Sequence, residues 1–211
     1  MLSSWIGRIG AAALALSALF AGLIAVIRAA PADDGGLRRF MADVAACIAA
    51  EPCALGFALD QGNLDTLNDF ARNHPWVTRA RFSRGMDSDS GYLTWDWSGA
   101  QPPQIAEDSQ GGLWVQRGVV RSAIIPTTIR LGDLWLAMPP PDSVQLYGAS
   151  VRPQRVYLLL DYFNGLLRAE ATLYCPVRPE AYWHTEVKFV IGRRAVGLQP
   201  PEGWQPGWGA C

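Results

Sequence analysis

The chain has 211 residues, a formal charge of −1, 50% hydrophobic residues and only 18% charged ones. That length supports one large domain or two small ones, each with its own core. Lysine is scarce and arginine scattered, so nothing points to nucleic acid or an acidic surface as partner, since such a footprint needs clustered basic residues.

Much of the apolar excess lies in "IGAAALALSALFAGLIAVI", Ile9 to Ile27, uncharged and flanked by Arg8 and Arg28. At about 1.5 Å per residue, roughly 20 such residues cross a bilayer core. A secretory signal has a shorter apolar core, of about 7–15 residues, and a small-x-small cleavage site. Arg28-Ala29-Ala30, followed by Pro31, is a poor site, and Ile27-Arg28-Ala29 is little better. The expectation is therefore an uncleaved transmembrane anchor within residues 1–30, with a cleaved signal peptide as the alternative. Arg38 and Arg39 compete with Arg8, so flanking charge leaves the orientation open.

Four cysteines, Cys47, Cys53, Cys175 and Cys211, follow this segment. An even count behind an export segment reads as disulfides in an oxidising compartment. Proximity favours Cys47 with Cys53 and Cys175 with Cys211, although three connectivities are open. The spacing suits no zinc site and only two histidines are present, so no metal and no cofactor is expected. These features place the body outside the cytoplasm, held to the cell membrane by one span, or secreted if the segment is cleaved.

Residues 31–36 read as a polar linker. From Leu37 to Ala50, Leu37, Phe40, Met41, Val44 and Ile48 recur at helical spacing, and Pro52 follows as a stop. A second helix starts at Asn63 as N-cap, carries Leu64, Leu67, Phe70 and Ala71 on one face, and stops at Pro75. From Val77 the pattern changes to β-branched and aromatic segments: "VTRARFSRG", "YLTWDWS", "GLWVQ" and "VVRSAIIP". The order then recurs. "TIRLGDLWLAM" supplies a helix stopped by Pro139-Pro140-Pro141, and "VQLYG", "RVYLLLDYF" and "LLRAEATLY" supply strands. Asn164-Gly165 marks a hairpin, and aligning it with Arg117-Gly118 superposes Val119-Val120-Arg121 on Leu166-Leu167-Arg168. A last strand, "TEVKFVIG", precedes a Pro/Gly/Trp-rich tail over 193–211. The expected fold is α+β: an N-terminal membrane helix, then two tandem helix-plus-antiparallel-strand repeats, over 37–126 and 127–192, forming a sheet with helices on one face.

This order resembles the BamE/SmpA-type envelope fold and, in tandem, the two-repeat architecture of the β-lactamase-inhibitor proteins. "LGDLWLAMPPPD" resembles that unit's helix end, with Met138 where the family has Gly, while "WDW" and "YLLLDY" resemble its second strand. "PCALGF", "HPWV" and "WDWSGAQP" also look like uncharacterised exported bacterial proteins. The resemblance covers about Pro52 to Tyr174. It implies an extracytoplasmic binding or scaffolding habit and no catalytic residue.

No hydrolase elbow, zinc-protease helix, phosphate loop or dinucleotide fingerprint occurs. His74 sits before a proline and His184 near a strand start, both read as structural. "DSDSG", Asp87 to Gly91, begins like a calcium loop but lacks the required Gly and Glu, so it reads as a polar turn. Asp133 suits the positive end of a helix and Asp142 a turn, which leaves them unpaired as acid and base. The aromatics remain. Trp95 and Trp97 share one face of a strand, and Trp114, Tyr157 and Tyr162 lie on strands that could neighbour it. They either fill the layer between sheet and helices or form a binding surface on an open face. The expected function is a non-catalytic binding or assembly module of the bacterial cell envelope, with an envelope protein as partner. The alternative is a cell-wall glycan-binding protein or enzyme using the tryptophan-bearing face.

Overall fold

The computed structural model describes residues 2–29, 36–50, 53–54, 57–59, 64–85, 90–149, 154–192 and 205–206. It divides into two compact units, Met1–Gly35 and Gly36–Cys211.

The first unit contains α1 (Leu2–Ala29), whose described side chains, Gly10 to Val26, are all exposed. Among the described residues no helix is long and apolar enough to cross a membrane. The membrane helix expected over Ile9–Ile27 is corrected accordingly.

The second unit is built on one antiparallel sheet. Its elements are α2 (Leu37–Ala50), β1 (Cys53–Ala54), β2 (Phe57–Ala58), α3 (Leu64–Asn73), β3 (Val77–Arg84), β4 (Gly91–Trp97), β5 (Gly111–Gln116) and β6 (Val119–Arg130). There follow α4 (Leu131–Ala137), β7 (Ser143–Ala149), β8 (Arg155–Tyr162), β9 (Leu167–Tyr174), α5 (Pro179–His184), β10 (Glu186–Gly192) and β11 (Gln205–Pro206). Among the described residues nine strands run in the order β11-β7-β8-β9-β10-β6-β5-β4-β3, and β1 pairs with β2 in a separate two-stranded sheet.

The tandem-repeat architecture is the second correction. The strands form two meanders, β3–β6 and β7–β10, but β10 pairs directly with β6 from Glu186↔Arg130 to Gly192↔Ser122, which makes one continuous sheet. The helices do not follow as two repeats. α3 packs on β3, whereas α4 packs chiefly against α5, a helix the periodicity did not announce. The strand β6 also runs on through Pro126 to Arg130, over residues expected to begin the second helix. Pro126 is tolerated because β6 has there run past its pairing with β5, which ends at Gly112↔Ile124. Thr127 then fixes the extension by donating its hydroxyl to the Val187 carbonyl at 2.6 Å.

The two hairpin turns differ as well. Arg117 and Gly118, at φ 53° and 72°, close a two-residue loop between Gln116 and Val119. Asn164-Gly165 belongs instead to a four-residue turn between Tyr162 and Leu167, in which Phe163, Asn164 and Gly165 all have positive φ.

The core lies on one face of the sheet. Leu93, Trp95 and Trp97 of β4, Leu113 and Val115 of β5, Leu158, Leu160 and Tyr162 of β8, and Phe189 of β10 meet Leu67 of α3, Leu131 and Leu134 of α4, and Leu37, Met41 and Ile48 of α2. Cys47 and Cys175 are each disulfide-bonded, and no cysteine is free among the described residues. The pairing expected for them falls on the Cys53 side chain and on Cys211, which lie outside the described residues.

Candidate functional site

Residues directly opposite one another in an antiparallel pair share a face, so the register assigns every sheet side chain. Tyr92 opposes Trp114, which opposes Ser122; Asp161 opposes Arg168, which opposes Val190, which opposes Ile124, which opposes Gly112. These residues lie on the face away from the core, called here the second face.

The five aromatics, expected either to fill the core layer or to form a surface, are divided between the two faces. Trp95 is fully buried and Trp97 nearly so; their rings meet edge-on at 5.4 Å, and Phe70 of α3 packs against Trp95 at 5.6 Å. Tyr162, also in the core, is 2% exposed. Only Trp114 and Tyr157 are on the second face, both half-buried. They stand four strands apart, about 19 Å at the usual strand spacing. These five residues therefore do not make one surface.

Adjacent glycines explain how Trp95 and Tyr92 settle on opposite sides. A Cβ on Gly111 would come within 2.4 Å of the Trp95 indole, and one on Gly112 within 2.7 Å of the Tyr92 ring. Each aromatic lies flat across a bare backbone position, one on each face. Tyr92 thereby leans towards the middle of the sheet, where its ring sits 5.7 Å from that of Trp114.

The second face carries a polar band. Arg168 Nε donates to Asp161 Oδ1 at 2.7 Å and Arg168 Nη2 to Asp161 Oδ2 at 3.3 Å, with both residues under 8% exposed. Ser143 Oγ donates to the same Oδ2 at 2.8 Å, and Gln145 Nε2 reaches it at 3.4 Å. Tyr147 in turn donates its hydroxyl to Gln145 Oε1 at 2.6 Å. One row along, Lys188 Nζ lies 2.8 Å from Glu170 Oε2. Burial, and then the Glu170 carboxylate, hold the Tyr92 phenol above its ordinary pKa, so Tyr92 stays a neutral hydrogen-bonding group. Trp114 Nε1 and Ser122 Oγ are buried without a hydrogen-bond partner among the described residues. Leu159 and Val190 are buried on this face but stand outside the main core cluster.

The remaining candidates have structural surroundings. His74 Nδ1 accepts the Trp76 N–H at 3.3 Å and its ring stacks on Phe70 at the end of α3. His184 meets Arg130 at 3.5 Å. Asp133 is exposed in the first turn of α4, while Asp142 accepts the Asn164 N–H at 2.8 Å and so shapes the β8–β9 turn. Asp87 lies outside the described residues, and among those described no three His, Cys, Asp or Glu residues gather as a metal site.

Tyr92, Asp161 and Arg168 escaped the sequence reading. The alternation of "GYLTWDW" placed Tyr92 opposite Trp95 and Trp97, and Asp161 follows the apolar run "VYLLL"; those were the available signals. The likeness to BamE/SmpA-type units rests on spacing alone, because no protein-family model, no curated protein and no solved structure matches this chain.

Proposed function

We propose that this chain is a non-catalytic binding module of an oxidising, extracytoplasmic compartment of the bacterial envelope, and that its partner is a protein. The observation that supports this reading is how the carboxylates of the second face are used. Asp161 is tied to Arg168, Glu170 to Lys188 and Asp96 to Arg79. General acid–base or nucleophilic catalysis needs a carboxylate or imidazole within hydrogen-bond reach of a reacting group, and these are committed to cations instead. What the face offers is half-buried aromatic and amide surface around Tyr92 and Trp114, a composition suited to gripping a protein. The disulfides of Cys47 and Cys175 support the oxidising compartment.

The test is affinity capture with the full chain, disulfides formed, as bait against an envelope extract. A Tyr92→Ala/Trp114→Ala bait runs beside it, since Trp95 and Trp97 are core residues whose removal would damage the fold. A protein retained by the native bait and lost by the folded double variant supports the reading. Turnover of an envelope substrate, abolished by one polar substitution, sinks it. A glycan reading draws on the same Tyr92–Trp114 ring pair, and predicts tryptophan quenching by a soluble cell-wall glycan that is lost in Trp114→Ala.

A further inference from the structure

The strand β3 ends the sheet on the side of the first meander. Gly85 N–H donates to the Ser90 carbonyl at 2.8 Å, and hydrogen-bonded pairs alternate along an antiparallel ladder. With the register Ser83↔Tyr92 and Arg81↔Thr94, Arg81 and Ser83 turn their backbone groups towards β4. Phe82 and Arg84 therefore present N–H and C=O outward, at the end of the sheet where no further strand follows among the described residues.

Such edges invite pairing, and proteins blunt them with bulges and charge. Here a bulge between Thr78 and Arg81, with Arg79 at φ 43°, disrupts only the start of the strand. From Arg81 to Arg84 the ladder is regular. The side chains on that stretch alternate between faces, with Arg81 and Ser83 on the second face and Phe82 and Arg84 on the core face. Arg81 lies on the second face, beside Thr94, and Ser83 is beside Tyr92. Phe82 lies on the core face, 37% exposed. Among the described residues Arg81 and Arg84 make no ion pair, whereas Arg79 holds Asp96 at 3.3 Å.

We propose that an extended segment of the partner protein, acidic at alternate positions and apolar between them, adds to β3 as a tenth strand of the sheet. Its carboxylates meet Arg81 on the face that carries Tyr92 and Trp114, and on the core face its apolar side chains pack on Phe82 and the aliphatic stem of Arg84. A second copy of this chain is not the occupant, because β3 against β3 would set the arginines of one edge against those of the other. The proposal rests on the protein-binding reading above, and it adds the place and the chemistry.

The probe is a capped synthetic peptide of alternating glutamate and valine, with the lysine–valine peptide as control, titrated into the full chain. Amide hydrogen exchange should slow at Phe82 and Arg84 and stay unchanged at Arg81 and Ser83, whose amides already face β4. Arg81→Glu should weaken binding about tenfold, added salt should weaken it further, and Arg84→Pro, which removes an outward donor, should abolish it. Equal binding of the lysine peptide, or no slowing at Phe82 and Arg84, overturns the proposal. Association of the chain with itself through this edge, seen by sedimentation and lost in Arg84→Pro, also overturns it. If the peptide fails while the native bait still retains a protein lost in Tyr92→Ala/Trp114→Ala, the edge proposal falls alone; if both fail, the binding reading falls with it.

Discussion

Replacing Arg168 by Met should cost about 4 kcal/mol of stability, a large share of the 5–15 kcal/mol typical of a domain. The reason is what the substitution leaves behind. Asp161 is 6% exposed, and two of its hydrogen bonds come from the guanidinium, at 2.7 and 3.3 Å. Without Arg168 a buried carboxylate loses both guanidinium bonds, while Ser143 and Gln145 can offer it neutral donors. Asp161→Leu should cost a similar amount by stranding the cation. The double variant Asp161→Leu/Arg168→Met strands no charge. It should lose only about 1–2 kcal/mol, because Ser143 and Gln145 are half-buried and can turn to water. Arg168→Lys should fall between, since an ammonium cannot bridge both carboxylate oxygens. Urea unfolding of each variant with disulfides intact, compared at constant slope, measures the cycle. Single losses below about 1 kcal/mol, or losses that simply add, would refute the claim that the pair's value lies in mutual neutralisation.

Gly111→Ala should destabilise by about 2–3 kcal/mol, because its Cβ would strike the fully buried Trp95 indole, whereas Gly112→Ala should cost less, since the Tyr92 ring is half-exposed and can swing away; equal losses would contradict that asymmetry. Burial, with Tyr182 nearby, pushes the Tyr162 phenol up to about 12, so between about pH 10 and 12 the native state holds a proton the unfolded chain has lost. Stability therefore falls with rising pH through that window by roughly 1.4 kcal/mol per unit, and Tyr162→Phe should lack that slope and be no less stable at neutral pH, its lost hydroxyl having no hydrogen-bond partner among the described residues. A parallel decline in both proteins would count against it. Arg79→Gly should change stability by less than about 1 kcal/mol, relief of the positive φ offsetting loss of the exposed Asp96 pair, as thermal unfolding would show.

The strands were legible because alternation is a local property. "GYLTWDW" reads with period two, and its observed burial alternates along the whole strand. The positive-φ turns at Arg117-Gly118 and Asn164-Gly165 were likewise written in turn residues. Alternation separates Tyr92 from Trp95 and Trp97 but does not say which of the two sides is the core. Tertiary structure decided that when α3 brought Leu67 and Phe70 onto the tryptophans. The matched phrases "GVVR" and "GLLR" show the same limit. Arg168 became half of a buried ion pair because β8 sets Asp161 opposite it; the residue at the equivalent place in the first hairpin is Trp114, and β6 slips by one residue there, leaving Arg121 between the Trp114↔Ser122 and Val115↔Val120 pairs. The single sheet in place of two repeats has a similar origin. Nothing local records that β10 will pair with β6, because that contact joins strands some 60 residues apart in the chain and depends on both meanders having already formed. Sequence determined which residues are extended and where they turn. Pairing between distant strands determined which side faces the core, which face lies away from it, and which strands end the sheet.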